Sequence, residues 1–131
     1  MKLIFSLLAI GLLILMNSCD ELIIKDISDK AVRVVLPVTG SALDQREVYF
    51  AWEAVAGAED YRLMVVSPSF ADLKRSVADT ILNETTLKVT LPDGQYQWRI
   101  QARNSEYRSI PQVFSFTVAA SGEELPESPE E

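Results

Sequence analysis

The chain has 131 residues, with 12 lysines and arginines against 19 aspartates and glutamates, no histidine and one cysteine, for a net charge of −7. That acidic balance argues against nucleic acid as a partner, because such binding rests on neutralising phosphates with Lys and Arg. The missing histidine removes the commonest general base and metal ligand, and a lone cysteine closes no disulfide within the chain.

Met1-Lys2 gives a short positive start, and the fourteen residues Leu3–Met16 are almost all apolar. A secretory signal peptide has an apolar stretch of about 7–15 residues, whereas a membrane-spanning helix needs roughly 20. Residues 1–18 therefore read as a removable signal. Met16-Asn17-Ser18-Cys19 resembles the lipobox of bacterial lipoproteins, although Asn17 departs from its commonest form. The resemblance implies that the Cys19 sulfur carries a lipid and leaves no free thiol. Cleavage after Ser18 leaves 113 residues, one domain's worth, and the loss of Lys2 takes the charge to −8. Two acyl chains already give stable membrane attachment. The expected location is the outer membrane, at the cell surface or on the periplasmic face, with Asp20-Glu21 as sorting information or as a solubilising start. Residues 19–30 form a tether, and the eleven residues Asp20–Lys30 span at most about 36–40 Å. Leu22, Ile23, Ile24 and Ile27 make it more apolar than a free linker needs, so part of it is expected to pack on the domain.

Residues 31–120 alternate with period two between turn signals, the mark of half-buried strands. Val32–Leu36 is a weak first candidate. Val48, Phe50 and Trp52 alternate with Glu47, Tyr49, Ala51 and Glu53; Tyr61, Leu63 and Val65 alternate with Arg62 and Met64. Lys74–Thr80 is again weak. Leu87, Val89 and Leu91 follow, then Tyr96, Trp98, Ile100 and Ala102 against Gln95, Gln97, Arg99, Gln101 and Arg103. Phe114, Phe116 and Val118 close the series. Pro, Gly and short polar residues mark the turns between them. About seven strands result, an all-β chain. Residues 121–131 hold five glutamates and two prolines and are too polar to bury.

Seven such strands in about 90 residues suggest an antiparallel β-sandwich. Leu91-Pro92-Asp93-Gly94-Gln95-Tyr96-Gln97-Trp98-Arg99-Ile100-Gln101-Ala102 resembles the E–F corner and strand F of a fibronectin type III domain. Phe50-Ala51-Trp52-Glu53 and Val55–Leu63 resemble its strands B and C, and Ser115–Val118 its strand G. The resemblance covers residues 31–119 and departs from the family in strand A and over Ser67–Thr86. It implies an Ig-like sandwich with Trp52, Tyr61, Tyr96, Trp98 and Phe116 in the core and Tyr96 as a tyrosine corner. It also implies that the chain enters at the pole carrying the B–C, C′–E and F–G loops, so that this pole faces the membrane.

Catalysis finds little support. Without histidine there is no triad, and neither a Gly-x-Ser-x-Gly elbow nor a Ser-x-x-Lys motif occurs. A carboxylate pair needs a cleft that short sandwich loops do not offer. Asp93 and Glu59-Asp60 read as turn residues and not as calcium ligands. No cofactor and no metal is implied. Two surfaces remain as binding candidates. The outward side of strands C and F collects Arg62, Arg99 and Arg103 with Met64 and Val66, a basic patch on an acidic protein unless nearby acids pair with it. Phe70 and Tyr107 are loop aromatics at opposite poles, able to stack on sugar or anchor an interface unless they fold back over the core. The expected role is a non-catalytic module that binds an unidentified envelope protein or has a structural part there. Glycan binding at the cell surface is the alternative.

Overall fold

The computed structural model describes residues 23–120; the signal segment, Cys19 and the acidic tail lie outside the described residues. Eight strands form two sheets, with no helix among the described residues. The first sheet has the order β1 (Val34–Leu36), β3 (Glu47–Trp52), β6 (Thr86–Thr90). The second has the order β2 (Ser41–Leu43), β8 (Gln112–Val118), β7 (Gly94–Arg103), β4 (Asp60–Pro68), β5 (Leu73–Leu82). All pairings are antiparallel except β2 with β8, which run parallel through Ser41↔Phe116, Ala42↔Thr117 and Leu43↔Val118.

The alternating apolar positions of β3, β4 and β7 turn inward and meet between the sheets. Phe50 sits at the centre, edge-on to Trp98 at 5.0 Å and to Phe116 at 5.9 Å. Tyr96 stacks on Phe116, and Trp52 meets the edge of Tyr61. Trp52, Tyr61, Tyr96, Trp98 and Phe116 are all buried. Large rings in such contact contribute beyond their buried area, so this cluster carries much of a disulfide-free core. The Tyr96 hydroxyl donates to the Pro92 carbonyl four residues upstream, which ties the corner before β7 to the core.

Eight strands stand where the alternation gave about seven. The addition is β2, whose three residues are too few to show a period. After Pro37 and the turn at Gly40 (φ 83°) the chain leaves the β1 edge of the first sheet and joins β8 in the second. Strand A is thus split in two, which accounts for the weak pattern there.

The two described chain ends lie at opposite poles. Lys25 is held by Asn104, just after β7, and Ala120 by Asp93, just before it. The ten residues of β7 separate these points by about 30 Å.

Candidate functional site

The outward side of β4 and β7 carries the three arginines, and each has a partner. Arg62 grips Asp79 of β5 with two bonds, Nε to Oδ1 at 3.0 Å and Nη2 to Oδ2 at 2.8 Å. The hydrogen bond from Arg62 holds the Asp79 carboxyl below its usual range and raises the guanidinium in return, with Arg99 adding to the attraction on Asp79. Arg103 donates to Asp60 at 2.8 Å. Arg99 lies over the Phe70 ring, 5.0 Å from its centroid, and its Nη2 donates to the Met64 sulfur at 2.9 Å. A cation over an aromatic face is attracted by the ring's quadrupole. The face is therefore a set of closed pairs more than a bare basic patch.

Phe70 and Arg99, expected in separate features, meet here. The Gln97 side-chain oxygen accepts the Phe70 backbone N–H at 2.9 Å, and its nitrogen donates to Ser115 Oγ at 3.0 Å. This pulls the segment after β4 back across the sheet. Val66, expected among the outward residues, pairs with Gln97 on that side yet is fully buried and stands apart from the main core. A bulge explains the departure. Between Val65 and Val66 the partner strand advances from Ala78 to Ser76, leaving Val77 unpaired, and the edge folds over. Tyr107 is half-buried and packs against the core cluster. Its backbone N–H donates to Asn104 Oδ1 at 2.7 Å. Neither aromatic offers a flat, open ring of the kind that stacks on sugar.

At the pole where the chain enters, part of the tether packs on the domain, as its apolar residues led one to expect, through partners that the sequence did not single out. Ile27 is fully buried in the core. Asn104, also buried, donates to the carbonyls of Lys25 at 2.8 Å and Gly57 at 3.1 Å, while its oxygen accepts from Glu106 and Tyr107. Gly57 has φ 92°, and a Cβ there would stand 2.7 Å from Lys25 Cβ. The entering segment thus lies directly on the B–C turn, at a spot only glycine leaves open. The signal for this was the plain Ala-Gly-Ala turn and a lone Asn after β7, both of which read equally well as ordinary loop.

At the opposite pole, Arg46 Nε contacts Asp93 Oδ1 at 3.2 Å, and the same oxygen accepts the Ala120 N–H at 3.0 Å. The Leu43 carbonyl accepts the Ala119 N–H at 2.9 Å.

No protein-family model matches the chain, and no curated protein matches it. Solved structures do. The fibronectin type III domain of the human collagen alpha-1(XX) chain is 18% identical, with 74% of this chain and 94% of that one covered at a TM-score of 0.54. The corresponding domain derived from human KIAA0970 protein is 17% identical, covering 80% and 83% at 0.53. The twitchin kinase region from C. elegans, which includes such a domain, is 19% identical and matches 79% of this chain but 18% of its own, at 0.52. At these identities the likeness concerns architecture, and with the two sheets of three and five strands it establishes an all-β fibronectin type III-like sandwich.

Proposed function

We propose that the protein is a lipid-anchored, non-catalytic display module of the bacterial cell envelope, built to hold a protein-binding sandwich close to a membrane. The observation that supports this best is the junction at the entry pole. A linker that merely trailed from the domain would have no need of a buried Ile27 or of an asparagine holding the Lys25 carbonyl. Only Asp20–Ile24 then remain between the lipidated cysteine and the first held residue. Their contour, about 20 Å, limits how far the sandwich can stand off. The entry pole faces the bilayer, and the pole with Asp93 and Ala120 faces away.

The fold's solved neighbours are generally non-catalytic domains, in keeping with a binding role. The outward pairs of Arg62, Arg99 and Arg103 keep this face soluble, and the partner surface lies elsewhere. Labelling of the full chain with a fatty-acid analogue tests the anchor. The label is expected on the wild type and absent from Cys19→Ser, which should also move into the soluble fraction. An unlabelled wild-type chain in that fraction would defeat the reading. Protease digestion of intact against permeabilised cells then places the domain outside or in the periplasm.

A further inference from the structure

Resting on that reading, we infer that the partner enters as an extended segment of alternating apolar and basic residues, and that it docks in a groove beside the β1 edge. The groove has a volume of about 420 Å³ and runs between β1, the turn before β2 and the start of β3. Val35, Leu36, Val38 and Tyr49 line it with roughly half of each residue in solvent, and Leu43 lines it from β2. Four of the nine large exposed hydrophobics among the described residues therefore gather in one concavity. Single exposed apolar residues are ordinary on a protein surface, whereas a contiguous patch marks a contact site.

Charge decides the occupant. Asp44 and Glu47 stand on the rim. Glu47 shares Lys88 and the Tyr49 hydroxyl, at 3.1 and 3.2 Å, but Asp44 is exposed and makes no ion pair among the described residues. Ala119 is bonded to the lining residue Leu43, and residues 121–131 of the sequence bring five glutamates and no cation. The groove thus opens at an acidic end of an acidic protein. A second copy would bring like carboxylates together, a juxtaposition that costs affinity, and the glutamate-rich sequence 121–131 carries the same sign as the rim. A partner with lysine or arginine flanking branched apolar side chains meets both the floor and the rim. β1 is also a sheet edge, where an extended segment is the natural visitor. The groove lies toward the pole turned away from the bilayer, because Glu47 pairs with Thr90, three residues before Asp93.

The test uses the full chain in detergent micelles and a synthetic decapeptide of alternating lysine and valine. This peptide is expected to bind, with lysine–glycine and glutamate–valine versions about tenfold weaker or worse. Val38→Ser and Asp44→Lys, both at exposed positions, should each weaken it by about tenfold while circular dichroism stays unchanged. Equal binding of the lysine–glycine peptide, indifference to Val38→Ser, or a dimer that Val38→Ser dissolves would overturn the inference. A photo-crosslinker placed at position 38 or position 99 of the full chain in its own cells separates the two levels. Adducts at 38 mapping to a Lys- or Arg-flanked apolar segment support the groove. Adducts only at 99 remove the groove and leave the interaction module standing, and adducts at neither remove both.

Discussion

Trp52 and Trp98 face each other's sheets from β3 and β7, and their indole nitrogens have different fates. Trp98 Nε1 donates to the Pro37 carbonyl at 3.2 Å, whereas Trp52 Nε1 is buried with no partner among the described residues. Truncating either to alanine should cost about 3–5 kcal/mol, against a whole-domain stability of roughly 5–15. The phenylalanine variants should divide. Trp98→Phe loses volume and orphans a carbonyl, while Trp52→Phe loses volume and an unpaired donor. Urea melts are expected to place Trp52→Phe above Trp98→Phe by about 1 kcal/mol, and the reverse order would contradict the assigned bonding. A second residue-scale outcome concerns acid. Asp79 is held below its ordinary range by Arg62, so what it adds to stability is complete above its unfolded pKa and lost as pH falls through the lower folded value. Wild type and Asp79→Asn should therefore differ in melting temperature near about pH 6 and converge toward about pH 2. The pair is exposed, so added salt should shrink the gap.

At the scale of elements, legibility followed regularity. β3, β4 and β7 were readable because every second side chain meets the core without interruption through Val48–Trp52, Tyr61–Val65 and Tyr96–Ala102. β5 was faint because its ladder slips twice, at Val77 and again where Pro68 pairs with Leu73, so residues of one parity do not share a face. Val66 was misplaced for the same reason. The arginine face was readable as a set of positions, but its neutralisation depended on Asp79 and Asp60, which only pairing across strands brings near. The groove had no sequence signal, since Val35, Val38 and Leu43 belong to three local stretches and converge only because the chain changes sheets at Pro37–Gly40. The B–C turn offers the sharpest check at this scale. Gly57→Ala combines a left-handed backbone with a collision against Lys25, and should cost about 1–2 kcal/mol. Hydrogen exchange should show the loss at residues 25–27 first; an unaltered exchange pattern there would mean that the entering segment is not seated on the turn.

For the whole molecule, the arrangement of the two ends matters more than any one surface. The chain comes in where β7 finishes and goes out where β7 starts, so the two described ends leave from opposite poles of the sandwich. β2, on the incoming side, lies parallel to β8, on the outgoing side. Traction applied between the two ends would drag these neighbours past each other lengthwise. Their bonds would then share the load together, where a hairpin peeled from one end surrenders them singly. Pull on the two ends would thereby be met by the short parallel ladder of Ser41–Leu43 with Phe116–Val118.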